Sequence, residues 1–357
     1  MNNKIKPGKK NKIAVALSGG IDSAFAAYIL KSQGFEIFGI TVKTYDCANF
    51  HLQLESVKKI AEKLAIEYVI LDLKKFFEST IIDPFCKNYL KGITPNPCVE
   101  CNRIIKFGTV WEKAKELGAD NIATGHYVRL IKPENNDYFK LKKGLDENKD
   151  QSYFLWKLTQ EQLKIIKLPL GDYTKEEVKN EVRTVFSHLN NMEESQEICF
   201  MGKKSIQEFL YERYREKDLI KQGPVLNTEG AIIGRHKGYI FYTVGQRKGL
   251  GISHSKPLYI KEIIPETNTI VLGEENEIYS DSFYVKDINF ISGNKPGGIF
   301  KPSTKIRYNS PELPSKIRVL KGNRAFVKTD IPQKAVTPGQ SAVFYNSDLM
   351  IGGGIIE

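Results

Sequence analysis

The sequence predicts an α/β protein: a doubly wound domain on a parallel sheet, followed by two small β-rich domains. Three observations predict it. Short apolar runs alternate with single helical patterns through the first third of the chain, which implies a parallel sheet joined by crossover helices. Beyond about Glu216, Gly, Pro and Asn turns separate short β-rich runs, the pattern of small sheets and barrels. The length of 357 residues suits two or three domains. The expected division is 1–208, 209–277 and 278–357.

The elements follow in order. Lys12–Leu17 (KIAVAL) reads as a strand that runs into Ser18-Gly19-Gly20. A helical pattern from Asp22 to Gln33 stops at Gly34, a natural residue just past a helix end. Phe35–Val42 is a second strand, Leu54–Ala65 a helix and Glu67–Leu73 a third strand. A helix is expected over Lys75–Leu90, and a loop over Ile93–Pro97, where two prolines break either periodicity. Another helix covers Asn102–Leu117, and Asn121–Thr124 is a strand ending in Gly125-His126-Tyr127. Thr174 with Glu177 and Ser205 with Glu208 match the capping box that opens a helix. The later β runs are Ala231–Gly234, Tyr239–Val244, Leu258–Ile264, Thr269–Leu272, Phe283–Ile291, Lys316–Leu320, Ala325–Thr329 and Ala342–Tyr345.

Composition excludes several classes. Hydrophobic residues at 41% and charged residues at 27% rule out a disordered chain, a collagen and a coiled-coil rod. A net charge of +11 points to an acidic partner such as nucleic acid, a nucleotide or an anionic surface. Five scattered cysteines fit a reducing compartment, so a cytoplasmic location is expected. The lysine-rich N-terminus has no apolar core of a signal peptide, and no run reaches the ~20 apolar residues of a membrane span.

Ser18-Gly19-Gly20-Ile21-Asp22-Ser23 stands between a strand and a helix. Two glycines let the backbone approach an anion with its N–H groups, and the helix start adds partial positive charge. Ser18 and Ser23 offer hydroxyls, and Asp22 suits a Mg²⁺ bridge or a packing role. No lysine stands where the Walker A pattern needs one. The string resembles the signature of the PP-loop ATP pyrophosphatases, which split ATP between its α and β phosphates to activate a carbonyl oxygen.

Cys98 and Cys101 are spaced as CxxC, and Cys199 lies far along the chain. Cys101 is expected to open a helix, where the thiolate is favoured. Three readings stand: packed thiols, a persulfide carrier with a resolving thiol, or three ligands of an iron–sulfur cluster. A structural zinc is weaker for want of a fourth ligand. Cys47 and Cys86 read as structural or inert.

Taken together, the motifs resemble those of the bacterial tRNA-specific 2-thiouridylases almost end to end. They are SGGIDS at 18–23, TPNPCVECNRIIKFG at 94–108, ATGHY at 123–127, KDQSYFL at 149–155 and SQEICF at 195–200. GRHKGYIFYTVGQRKGLGI at 234–252, KIRY at 305–308 and AVTPGQSAVFY at 335–345 complete the series. The resemblance implies ATP, with Mg²⁺, adenylating the C2 oxygen of the wobble uridine in the anticodon stem-loop of tRNA. A persulfide sulfur then displaces AMP, and a cysteine desulfurase or relay protein supplies the sulfur. By the same resemblance, Ala16, Leu17, Ser18, Gly19, Gly20, Ile21, Asp22, Ser23, Val42 and Gly125 form the ATP site. Cys199 carries the persulfide and Cys101 resolves it. Asn96, Pro97 and Cys98 meet the target base, and His126, Lys149, Asp150, Gln151, Arg307, Tyr308 and Gln340 contact tRNA. Cys98 stands where some relatives have aspartate, which keeps the cluster of Cys98, Cys101 and Cys199 as an alternative route. Val42 replaces a methionine common in that family.

Ile299–Lys328 holds eight basic residues and one acid, and strand alternation puts Lys305 with Arg307 and Lys316 with Arg318 on shared faces. Arg235, His236, Lys237, Gln246, Arg247 and Lys248 suggest a second RNA clamp or a sulfur-donor site. Two other readings compete. One is a PP-loop ligase making an amide or amidine on a small metabolite, which needs no reactive cysteine. The other is a tRNA-binding protein with a vestigial ATP site, which turns over no ATP.

Overall fold

The computed structural model describes residues 11–45, 50–133, 138–190, 198–202, 204–216 and 220–357. Cys47, most of the lysine-rich arm and the start of SQEICF lie outside the described residues. The chain forms two compact units. The first takes the described parts of Met1–Glu78, Val99–Gln196 and Asp348–Met350, and the second those of Ser79–Cys98, Glu197–Ser347 and Ile351–Glu357.

The first unit holds the expected doubly wound sheet. Its strands are β1 (Lys12–Ala16), β2 (Glu36–Lys43), β3 (Tyr68–Asp72), β4 (Asn121–Ala123) and the short Ile166–Lys167. They pair in the order β3, β2, β1, β4, Ile166–Lys167, all parallel. Helix α1 (Ile21–Ser32) follows β1 and helix α2 (Phe50–Leu64) precedes β3. Ile13, Val15 and Leu17 of one sheet face pack with Ala24, Phe25 and Ala27 of α1, Val57 and Ile60 of α2, and Val178 and Val182 of helix Lys175–Val185. The order reverses between β1 and β4, and the loops leaving those strands are where such sheets hold ligands.

Two helices differ from expectation. The Lys75–Leu90 pattern is realised as Lys74–Phe77, a π-helical turn Glu78–Ile82, and Asp83–Tyr89. Pro84 has no N–H and its ring crowds the carbonyl four residues back, so the helix widens before it. The second begins at Pro97, not Asn102, and runs as Pro97–Glu100, π-helical Cys101–Thr109 and Val110–Glu116. The fixed φ of Pro97 suits a first helical position. Gln162 Nε2 donates to the carbonyls of Arg103 and Phe107 at 2.7 and 3.1 Å, meeting acceptors of the widened segment.

The second unit holds two β bodies. A four-stranded sheet pairs Tyr259–Ile264, Thr269–Gly273, Gly223–Leu226 and Ile232–His236 in that order. Tyr239–Val244, expected as a strand, instead begins with a 3-10 turn at Tyr239–Phe241. Tyr242 and Val244 are buried with Val225, Ile260 and Leu272, and Tyr239 Oη donates to Leu90 O at 2.7 Å. The alternating aromatics are therefore spent on packing rather than on a ladder. The second body is a barrel: Tyr279–Phe290, Arg324–Lys334, Leu313–Leu320, Ser303–Lys305, Ser341–Asn346 and Leu349–Ile356, closing back on the first strand. The closing strand was hidden by Gly352, Gly353 and Gly354. A Cβ at Gly352 would stand 2.1 Å from Asn289 O, so close strand approach requires glycine there. Among the described residues no helix is long and apolar enough to cross a membrane.

Candidate active site

The pairing of β1 and β2 runs on past Ala16. Leu17 N–H donates to Ile40 O at 2.8 Å, and Thr41 Oγ1 donates to Leu17 O at 3.0 Å. The chain then turns through exposed Ser18, buried Gly19 and half-buried Gly20 into α1. Gly19 has φ +77°, and a Cβ there would meet Gln53 O at 2.9 Å. Ser23 donates its hydroxyl to Gly20 O at 3.0 Å and accepts Ser18 N–H at 3.2 Å. Ser23 is buried, and these bonds brace the loop from within. Val42 lies half-buried at the end of β2.

Gly125 closes the site from β4: a Cβ there would lie 2.7 Å from the Asp22 carbonyl carbon. Asp22 Oδ1 accepts from Lys175 Nζ at 2.6 Å and Tyr127 Oη at 2.7 Å. Lys175 is buried and its ammonium lies 5.6 Å from the Tyr127 ring centroid. Gln151 grips Tyr127 on both sides, accepting its N–H at 3.1 Å and donating its own backbone N–H to Tyr127 O at 3.2 Å. Asp150 is buried and accepts from Gly144 N, Ser152 N and Ser152 Oγ. His126 is buried beside Thr124 Oγ1, 2.7 Å from its Nδ1. Burial, helped by nearby Lys106, pushes its pKa well below the usual histidine value. Lys149 lines a polar cleft of about 410 Å³ with Asp146, Lys175, Lys179 and Arg183.

No disulfide joins the described cysteines. Cys86 is fully buried, Cys98 and Cys101 are half-buried and Cys199 is exposed. Cys101 sits one turn inside its helix rather than at the start, because Pro97 opens it. Cys98 is nearer the start, and its N–H donates to Asn96 Oδ1 at 3.2 Å, a side-chain cap. Beside Cys101, Glu100 pairs with Lys157 and, at 2.8 Å, with Arg103. Burial alone would raise the Glu100 pKa, but these two cations hold it below the usual value. Cys199 begins a 3-10 turn whose next residue, Phe200, packs on Phe85 and Phe209 at 5.3 and 5.4 Å. Among the described residues no group of three or more His, Cys, Asp or Glu side chains is placed to hold a metal.

Within the second unit, the loop before Cys98 is tied to the barrel. Thr94 N–H donates to Pro338 O at 3.0 Å, and Gln340 Nε2 donates to Thr94 O at 2.9 Å. Arg307 donates to Val244 O, Ala335 O and Thr337 Oγ1. It does not share an outer face with Lys305, because the strand ends at Lys305 and the chain turns. Lys305 Nζ lies 5.6 Å from the Tyr308 ring centroid. Lys316 and Arg318 do alternate outward around buried Ile317. His236 is buried between Asn268 O and the Gly238 N–H that it accepts, and Gln246 accepts from Thr243 N–H and donates to Lys248 O, so His236 ties its strand end to Asn268 and Gln246 holds its own loop. Lys175, Tyr127 and Ser56 carried no role in the sequence reading. A lysine opening a helix reads as a solvated charge, and no local pattern announces its burial.

Three family models match consecutive spans. They are a tRNA methyl transferase HUP domain over residues 11–203, a tRNA methyl transferase PRC-barrel domain over 207–274, and an aminomethyltransferase β-barrel domain over 280–356. A tRNA-specific 2-thiouridylase MnmA from Acetivibrio thermocellus is 42% identical, covering 98% of this chain and 99% of that protein. A tRNA-specific 2-thiouridylase MnmA 1 from Caldanaerobacter subterraneus subsp. tengcongensis is 44% identical, covering 97% and 98%. The chain belongs to the tRNA-specific 2-thiouridylase family. For a 2-thiouridylase family member, the HUP match falls on the parallel sheet, the PRC-barrel match on the four-stranded sheet and the last match on the closed barrel.

Proposed function

We propose that this protein is a cytoplasmic, ATP-dependent tRNA uridine 2-sulfurtransferase. The end-to-end likeness to 2-thiouridylases is the observation that carries the reading. The loop at the β1/β4 switch point supports ATP use, with Ala16 to Ser23, Val42 and Gly125 around the nucleotide. Mg²⁺ enters with ATP as part of the substrate, since an ammonium already pairs with Asp22. The uridine C2 oxygen attacks the α-phosphate and pyrophosphate leaves. Adenylation turns a poor leaving oxygen into a good one. The outer sulfur of a Cys199 persulfide then attacks C2 and AMP leaves. The Cys101 thiolate takes the inner sulfur, forming a Cys101–Cys199 disulfide and releasing the thiocarbonyl. A reductant and a cysteine desulfurase or relay restore the persulfide. Exposure of Cys199 suits loading by another protein.

Asn96, Pro97 and Cys98 meet the flipped-out base in this reading, with Gln340 setting their loop. Lys149 and Tyr308 contact the RNA directly. His126, Asp150, Gln151 and Arg307 act by shaping the surfaces that do. The division 1–208, 209–277 and 278–357 assigns catalysis to the first part and anticodon-stem binding to the last.

The test is sulfur incorporation into unmodified tRNA with Mg-ATP, a cysteine desulfurase and cysteine, read by nucleoside mass spectrometry. We expect 2-thiouridine from the parent and none from Cys199→Ser. ATP cleavage to AMP without any thionucleoside would instead support a ligase acting on a small metabolite.

A further inference from the structure

We propose that Ser56, on α2, is a positioning residue that sets the direction of the Gly20 N–H in the phosphate loop. The inference rests on reading this loop as the nucleotide-phosphate site. Ser56 is buried, and its hydroxyl donates to Gly19 O at 2.6 Å. That carbonyl and the Gly20 N–H belong to one peptide unit. No peptide bond among the described residues is cis, so the two dipoles point in opposite directions. Holding the carbonyl toward α2 therefore holds the N–H away from α2. The space around Gly20 itself is not crowded: a Cβ there would meet Ser18 Oγ at 3.6 Å, an ordinary contact.

The lock has a purpose because two successive glycines rotate cheaply. A flipped peptide would aim the Gly19 oxygen where phosphate oxygens must sit and withdraw a donor from them. Crowding of Gly19 by Gln53 O leaves room for the hydroxyl bond but does not fix which way the peptide dipole points. The next carbonyl, Gly20 O, is tied separately by Ser23 Oγ and Ala24 N–H. Ser56 is thus the contact specific to the Gly19–Gly20 unit. With its proton committed to Gly19, the hydroxyl meets His188 Nε2, 3.4 Å away, through a lone pair.

The test uses the full chain with magnesium pyrophosphate as probe. In the parent protein, the ¹⁵N-labelled Gly20 amide is followed by NMR during titration, and Ser56→Ala and Ser56→Thr are compared by calorimetry. We expect the parent Gly20 proton to move downfield on binding. Ser56→Ala should bind pyrophosphate roughly tenfold more weakly, the scale of one lost hydrogen bond, and raise KM for ATP. Ser56→Thr should restore binding. A parent protein that binds pyrophosphate while the Gly20 amide stays still overturns the proposal, without any variant having to fold. Equal affinities of parent and Ser56→Ala overturn it too. A parent that binds neither pyrophosphate nor ATP overturns the underlying reading of the loop instead.

Discussion

Lys175 Nζ lies 2.6 Å from Asp22 Oδ1, joining the start of one helix to the first turn of another far earlier in the chain. Tyr127, just beyond β4, donates to the same oxygen at 2.7 Å. Three segments that leave the sheet separately are thereby fixed around the phosphate loop.

Lys175→Met removes the cation and leaves a partly buried carboxylate with one hydroxyl partner. Because the Asp22 side chain is 36% exposed, breaking this pair from one side costs about 2 kcal/mol, below the full penalty of a buried pair. Urea denaturation of parent and variant checks this, and Tyr127→Phe should lose only about 1 kcal/mol. A Lys175→Met protein as stable as the parent would show that the pair contributes nothing.

Gly125→Ala puts a Cβ against the backbone of Asp22, at 2.7 Å from its carbonyl carbon. Backbone cannot yield as a flexible side chain does, so the start of α1 must shift. We expect about 2 kcal/mol of lost stability together with weakened ATP binding by calorimetry. Gly20→Ala, with φ −91° and open space around it, should keep the fold.

Arg307 and the outward pair Lys316 and Arg318 should separate in an RNA-binding assay. If Lys316 and Arg318 each meet one phosphate, Lys316→Gln and Arg318→Gln should each lower the salt slope of tRNA affinity by about one, and an unchanged slope would show that they do not. Arg307→Lys should leave that slope in place and lower Tm, because its guanidinium bridges Val244 O and Ala335 O.

Gln340→Ala frees Thr94 O and with it the loop leading to Cys98. Thiolation kcat should fall several-fold while ATP affinity stays unchanged. A loss of ATP binding instead would show that the contact serves the fold as a whole.

Stability should fall as pH drops through about 6.5. His126, His188 and His236 all have pKa values lowered by burial. Below 6.5 the unfolded chain takes up protons that the folded chain does not, so folding weakens toward acid. For His126 the slope approaches about 1.4 kcal/mol per pH unit. His126→Gln should flatten the curve measured by denaturation between pH 7 and 5, a window set by that unfolded value near 6.5.

Much of the protein was legible in order along the chain. The alternation of KIAVAL, the Asp22–Gln33 helix and FEIFGITV described real elements of a parallel sheet, because strand and helix periodicities are local. The capping boxes at Thr174 and Ser205 are present for the same reason. Where the reading failed, a distant neighbour had decided. Tyr239–Val244 alternates like a strand but is buried against other elements of its unit, and the glycines of Leu349–Ile356 hide a strand that the barrel needs.

The sequence by itself determined the family motifs, the switch-point loop and the identity of the cysteines, since each is a contiguous string with local chemistry. Only the tertiary structure decided which polar groups are spent internally. Arg307, Lys175 and Ser56 are partnered by residues far along the chain that local spacing does not predict, and burial turns Asp150, His126 and Ser23 toward near neighbours of their own. The reason is physical: a polar side chain's role depends on whether a partner meets it out of water, and the fold rather than the local sequence brings the partner.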